Sequence, residues 1–210
     1  MKWLLFCLAV GVLPAAGEPR EAPVATITLY TQFQQDPPKV VLEAIQAELE
    51  SIMSPMGLHF LWRSLSAASG SEVSVELAVV HFKGNCDVTS HEPHNPGLGA
   101  LGRTYVSDGS ILPFGDVDCD RIGSFVQQGL MALDRDGREG AFGRAVGRVL
   151  AHEIYHIFAN TVRHGSAGVG KAAYTVRELL CDCFQFEERE SQALRTSKAR
   201  AALWNGSGIQ

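Results

Sequence analysis

The feature that most constrains this chain is an apolar stretch, residues 141–160, that carries three ionisable side chains in its second half. Its apolar residues nearly surround a helical axis, which predicts a helix that is buried on most sides. His152 and His156 are four residues apart and therefore share one face of that helix, with Glu153 beside the first. Burying these groups costs free energy unless a partner satisfies them. Two imidazoles on one helical face can converge on a Zn²⁺ ion, which would be such a partner.

Glu153 gives this candidate zinc site a chemical use. A carboxylate next to the first histidine is placed to take a proton from water that the metal activates. The motif H-E-I-Y-H at 152–156 resembles the active-site helix of the zincin metallopeptidases. The resemblance implies that Zn²⁺ is the cofactor, that His152 and His156 bind it, and that Glu153 is the general base. It also implies an enzyme, an endopeptidase, that hydrolyses a peptide or protein substrate.

The third zinc ligand decides which branch of the zincins the chain resembles. Metzincins use the pattern H-E-x-x-H-x-x-G-x-x-H, but Ala159 occupies the glycine position here and Val162 the third histidine position. His164 follows two residues later, which gives H-E-x-x-H-x7-H. Asn160 tolerates the left-handed conformation that ends a helix. We therefore expect a longer loop that returns His164 to the metal, as in a divergent metzincin-like branch.

Glu178 is the alternative third ligand. The segment R-E-L-L-C-D resembles the gluzincins, which take a glutamate from the next helix and use an aspartate four residues on to support a histidine ligand. In this interpretation Asp182 would be the supporting residue. Only about 30 residues follow Glu178, which is short for the helical C-terminal domain of a gluzincin, so we favour His164.

A methionine turn beneath the metal is a further feature of the metzincins that this chain lacks. No methionine follows Met131. Residues 168–175 are the candidate for that place. Tyr174 among them is a candidate pocket residue, a hydrogen-bond donor to the transition state, or a support for a metal ligand.

The first residues predict export. One lysine precedes an apolar run, 3–13, and small residues follow at 15–17, which is the layout of a cleavable signal peptide over residues 1–17. The run is too short for a membrane span, which needs about 20 apolar residues. We expect a secreted or periplasmic protein, a monomer with no membrane span after cleavage. Residues 18–210 then form a single peptidase domain.

The cysteines fit an exported chain. After cleavage, four remain, and an even number suggests a disulfide. Cys86 and Cys119 are the preferred pair because both flank strand-like segments.

The pattern of elements predicts an α+β fold. Alternating or β-branched segments predict strands at 25–33, 59–65 and 74–84, and two short strands flank a turn at 107–110. A helix of about four turns follows the first strand, and the buried helix 141–160 comes later. We also expect a helix capped by Ser124, a solvated connection at 134–140 and a last helix over 175–191. Pro113 favours an edge strand. The result is a mixed β-sheet with a backing helix, a buried active-site helix and a C-terminal helix, as in the zincins and metzincins.

Charge and motif context limit the partners. The chain has 18 Lys and Arg against 23 Asp and Glu with no basic cluster, so we expect no nucleic-acid partner. A peptide should bind extended along the edge strand at 101–107. Two other functions remain open: a non-catalytic zinc-binding recognition module, and hydrolysis of a non-peptide substrate at the same metal.

Overall fold

The computed structural model describes residues 25–70, 74, 76–88 and 99–197. The predicted signal peptide, 1–17, lies outside these residues. The strands are β1 (Ala25–Phe33), β2 (Leu58–Ser64), β3 (Leu77–Lys83), β4 (Gly102–Ser107) and β5 (Ser110–Asp118). The helices are α1 (Lys39–Met53), α2 (Cys119–Leu130), α3 (Arg135–Phe158), α4 (Val176–Leu180) and α5 (Glu188–Arg195). No helix in the described part is long and apolar enough to cross a membrane.

The strands form one mixed sheet in the order β2-β1-β3-β5-β4. All neighbours are parallel except β4, which runs antiparallel to β5 and forms one edge of the sheet. The sheet and its helices confirm the predicted α+β fold with a backing helix and a buried central helix. Of the segment 101–107, predicted as an edge strand, residues 102–107 form β4 at the edge of the described sheet.

Helices α1 and α3 pack closely because two glycines of α3 face α1. A Cβ atom at Gly143 would lie 2.7 Å from the carbonyl oxygen of Val41, and one at Gly147 would lie 2.9 Å from that of Ile45. Any larger residue at either position would push the helices apart. This packing, together with the inward face of the sheet, buries the apolar surface of α3.

Arg148 of α3 is buried and joins three elements. Its Nε donates to Glu48 of α1 at 2.6 Å, and its Nη atoms donate to the carbonyl oxygens of Glu178 and Cys181 at 2.9 and 2.7 Å. The last carbonyl groups of a helix need such donors.

The predicted single helix over 175–191 is wrong, because α4 ends at Leu180 and α5 begins only at Glu188. Arg148 binds the carbonyl groups at the end of α4.

Two helix starts also differ from expectation, because aspartates cap them earlier than predicted. Asp118 accepts a hydrogen bond from the backbone N–H of Arg121, so α2 begins there rather than at Ser124. Asp134 accepts from the N–H of Gly137 and begins α3. The charged stretch 134–140, predicted as a connection, therefore forms the cap and first turns of α3.

Pro113 does not mark an edge strand, because β5 lies between β3 and β4. The ladder between β3 and β5 begins at Phe114, and the register between β4 and β5 shifts between Thr104 and Val106. Pro113 thus precedes the first residue of β5 that pairs with β3, so its missing N–H group removes no hydrogen bond from that ladder.

Cys86 and Cys119 form a disulfide, the pair preferred from sequence. The bridge joins the segment after β3 to the first residue of α2. Cys181 and Cys183 are free thiols.

Candidate metal centre

The three histidines of the predicted zinc site lie together. His152 and His156 are buried on α3, and His164 comes from the loop that follows the helix. One ring nitrogen from each residue lies within 4.8 Å of the others. The Nε2 atoms of His152 and His156 are 3.0 Å apart. Two nitrogens that bind one tetrahedral zinc at about 2.0–2.1 Å are roughly 3.3 Å apart, so this donor set fits the ion.

The chain returns to α3 through a left-handed residue at the end of the helix. Asn160 has a φ of 47°, as predicted from its position, and the N–H of Thr161 donates to the carbonyl oxygen of His156 at 3.2 Å. Beyond His164, the N–H of Gly165 donates to the carbonyl oxygen of Gly170 at 2.7 Å and closes the loop on itself. We call residues 161–171 the metal loop.

The metal loop also orients both helix histidines. Nδ1 of His156 is 2.6 Å from the carbonyl oxygen of Thr161, and Nδ1 of His152 is 2.7 Å from that of Val169. A carbonyl oxygen only accepts, so each Nδ1 carries the proton. Each Nε2 therefore keeps its lone pair, as a metal ligand requires.

The protonation states of the helix histidines suit a metal. Burial lowers the pKa of His152 to about 4, and burial also lowers the pKa of His156. Both imidazoles are therefore neutral at pH 7, which is the form that coordinates a metal ion.

Glu153 lies in a cradle formed by the β4–β5 hairpin. Thr104 Oγ1 donates to its Oε2 at 2.7 Å. A Cβ atom at Gly102 would lie 2.5 Å from its Oε1, and one at Gly115 would lie 3.8 Å from its Cβ. Burial raises the pKa of Glu153 to about 7. The carboxyl can therefore both take and give a proton near neutral pH.

Tyr174 supports His152 from the side away from Nε2. Its hydroxyl lies 2.8 Å from Nδ1 of His152 and donates to the carbonyl oxygen of Val169. Burial raises the pKa of this hydroxyl, which keeps it protonated. Tyr174 also lines the cavity at the site.

Among the described residues, the cluster of candidate metal ligands includes neither Glu178 nor Asp182. Glu178 caps α4: its carboxylate accepts from Lys171 Nζ at 2.7 Å and from the N–H of Thr175 at 2.7 Å. Lys171, and then Thr175, lower the pKa of Glu178 to about 2. Asp182 is exposed beyond the end of α4, so the two acids do not share a helical face.

The segment that leads into α5 holds the metal loop in place. The N–H of Val169 donates to the carbonyl oxygen of Gln185 at 3.1 Å, and Ser166 Oγ donates to Glu187 Oε2 at 3.0 Å. Gly168 has a φ of 61°, and a Cβ there would lie 2.0 Å from the oxygen of Gln185. Only glycine fits this contact.

A cavity of about 590 Å³ opens beside the histidines and β4. Its walls come from the β4–β5 hairpin, from α2 and α3, from the first residues of the metal loop and from residues 172–174 that follow it. Apolar side chains dominate it, namely Leu101, Val106, Ile111, Phe125, Val149 and Val162. Glu153, His152, His156, His164 and Thr104 lie along the same walls. The arrangement can hold a metal ion, a base and an extended chain in one place.

The histidines and Glu153 were predictable from the sequence, whereas Thr104 and Gly102 were missed. Both lie about 50 residues before Glu153, the residue that they contact, and no local spacing relates them to it.

Comparison with known proteins gives only distant structural likeness. No protein-family model matches the chain, and no curated protein matches its sequence. A solved structure of archaemetzincin from Methanopyrus kandleri is similar, with a TM-score of 0.47 and 13% sequence identity. The match covers 89% of this chain and 98% of that chain.

Proposed function

We propose that this protein is a zinc-dependent peptidase in which His152, His156 and His164 bind the metal and Glu153 is the general base. One observation carries the proposal. Three imidazoles, whose ligand nitrogens lie within 4.8 Å of one another, meet a buried carboxyl in one cavity. A purely structural zinc site would not need a buried base beside it.

The chain's own residues divide the chemistry. Zinc held by His152, His156 and His164 would supply Lewis acidity for the attack of water on a carbonyl group. Glu153 accepts the proton of the attacking water on its carboxylate and then donates that proton to the leaving amine. In the metal-free site burial raises the pKa of Glu153, which favours proton uptake by this carboxyl. Val169 and Thr161 keep the two helix imidazoles in the tautomer that leaves Nε2 for the metal.

The edge strand supports a peptide as the substrate. On its outer side, β4 has no partner among the described strands, so it can pair with an extended chain. The neighbouring cavity is walled by apolar side chains that suit an apolar substrate residue. We therefore propose cleavage within an extended peptide, which is endopeptidase activity, rather than hydrolysis of a non-peptide substrate.

Two alternatives receive less support. Glu178 as the third ligand would have to leave Lys171 and the cap of α4, both of which hold its carboxylate. A non-catalytic recognition module would gain nothing from Glu153, whose burial disfavours its charged form.

We also propose that the protein works in an oxidising compartment, outside the cytoplasm. The disulfide between Cys86 and Cys119 supports this, because such bonds form and persist in secreted and periplasmic proteins.

Hydrolysis of a denatured, fluorescently labelled protein tests the function. We expect turnover that needs one equivalent of zinc and that Glu153→Gln lowers by about 10²- to 10⁴-fold with zinc still bound. The exposed Glu188 provides a matched control, and Glu188→Gln should keep full turnover. A zinc-loaded wild-type protein without turnover, or a fully active Glu153→Gln variant, would contradict the proposal.

A further inference from the structure

We propose that Thr104 is a positioning residue for the reaction, because its hydroxyl holds the Glu153 carboxylate in the orientation in which Glu153 acts as base. This inference rests on the proposed peptidase function and adds a residue outside the metal-binding motif. Its effect is exerted through Glu153, not by contact with the metal.

Thr104 forms a hydrogen bond to one oxygen of the Glu153 carboxylate. Its Oγ1 donates to Oε2 of Glu153 at 2.7 Å and lies 3.2 Å from the backbone carbonyl oxygen of the same residue. The other oxygen, Oε1, lies against Gly102, which has no side chain to displace it. One oxygen is thus fixed by a donor, while the other lies beside the cavity wall.

A glutamate carboxylate needs such a hydrogen bond to fix its orientation. The last torsion of a glutamate side chain is broad, so packing alone does not fix the plane of the carboxylate. A hydrogen bond to a charged group is worth more than one between neutral groups, and it adds direction. Because Glu153 is buried, few other donors can reach Oε2, and the hydroxyl of Thr104 is the side-chain donor that the structure gives it.

Strand β4 is itself held from its opposite face. Thr104 faces α3, whereas the next residue, Tyr105, faces the other side of the sheet and donates to Oδ2 of Asp116 at 2.6 Å. Lys83 donates to the same buried carboxylate oxygen. The strand is therefore anchored on both faces at adjacent residues. The backbone at Thr104 is held in place, so its hydroxyl can orient Glu153. The edge that we propose to bind substrate is also the element that orients the base.

Steady-state kinetics of Thr104→Val and Thr104→Ser, each with zinc content measured, test the inference. Valine keeps the shape of threonine but removes the hydroxyl. We expect Thr104→Val to lower kcat by about 10- to 100-fold, with little change in KM and with full zinc content. Serine restores the hydroxyl, so Thr104→Ser should recover most of kcat. Thr31, a buried threonine of β1 outside the cavity, is the matched control, and Thr31→Val should keep wild-type kcat.

Each outcome decides a different point. Wild-type kcat in Thr104→Val, or equal losses in the valine and serine variants, would overturn the positioning role even if Glu153→Gln is inactive. Loss of zinc in Thr104→Val would also overturn it, because the residue would then support the metal. If Thr104→Val does not fold, Thr104→Ala, which leaves room at this edge strand, replaces it in the same comparison. A wild-type protein that hydrolyses no peptide would instead overturn the proposed function.

Discussion

At the scale of single residues, the site keeps groups that lower the stability of the folded protein. The side chain of Glu153 is buried and its pKa is raised to about 7, so its ionised form is disfavoured in the folded state. His152 is similarly buried, with a pKa of about 4. Neither arrangement stabilises the metal-free fold. The neutral imidazole of His152 suits metal binding, and the raised pKa of Glu153 suits a general base.

Glu153 should make the metal-free protein less stable as the pH rises. Between about pH 4.5 and pH 7, the folded state retains a proton on Glu153 that the unfolded state has released, so stability falls with rising pH. A glutamine side chain does not titrate, so Glu153→Gln should be more stable than wild type at pH 8, by up to about 3 kcal/mol. At pH 5 the two proteins should differ little.

Urea unfolding in EDTA at pH 5 and pH 8 measures this difference. The same stability gap at both pH values would show that packing rather than charge distinguishes the variant. The exposed Glu188 again provides the control, and Glu188→Gln should show no pH-dependent gain.

The sequence predicts the residues of this site only where they are close together along the chain. The spacing of His152 and His156 follows from helical geometry, and Asn160 follows from its tolerance of a left-handed backbone. Thr104 lies 49 residues before Glu153, and its role depends on how a hairpin packs against a helix. Periodicity does not report such a contact.

At the scale of elements, the metal loop is the part of the molecule on which the site depends most. It contributes His164 and both carbonyl groups that orient the helix histidines. Its own position depends on the segment before α5, through Gln185 and Glu187. Metal affinity should therefore respond to changes in this loop more than global stability does.

Gly168→Ala should weaken zinc binding. The added Cβ would lie 2.0 Å from the carbonyl oxygen of Gln185, so the loop must shift and Val169 must move relative to His152. We expect a loss of about 10- to 100-fold in zinc affinity, measured by competition with a chelating indicator. Gly109 provides a matched control, because it also has a positive φ but a Cβ there meets nothing within 4 Å. Equal zinc affinities for Gly168→Ala and Gly109→Ala would contradict the role of the loop.

Element boundaries show what local signals omit. The strand at 25–33 and the buried helix were predictable because their patterns are strong and local. The start of α3 was missed because its first turns are charged and resemble a solvated loop, yet Asp134 caps them. The break between α4 and α5 was missed because Arg148, from another helix, takes the carbonyl groups that end α4.

At the scale of the whole molecule, the helices pack against the sheet so that the edge strand β4 and the central helix α3 both line one cavity. Gly102 and Gly115 of the hairpin allow α3 to come close, and α2 completes the wall. The disulfide between Cys86 and Cys119 ties the sheet to the start of α2. This bond should stabilise the fold without taking part in the chemistry.

Replacing both bridged cysteines by alanine tests whether the disulfide stabilises the fold without affecting the metal site. The bridge closes 33 residues, so its loss should lower the free energy of unfolding by about 3–4 kcal/mol. At temperatures where the variant is folded, its zinc content should match wild type. Cys183→Ala, at an exposed free thiol, is the control and should leave the stability unchanged. A double variant as stable as wild type would show that the bridge does not constrain the protein.

X-ray absorption at the zinc edge tests the central claim most directly, because it identifies the atoms that bind the metal. We predict three imidazole nitrogens at about 2.0–2.1 Å and one further light ligand in the wild type. His164→Ala should lose one imidazole, whereas Glu178→Ala should give the wild-type spectrum. A spectrum with two imidazoles and a carboxylate, altered by Glu178→Ala and not by His164→Ala, would contradict the proposed ligand set.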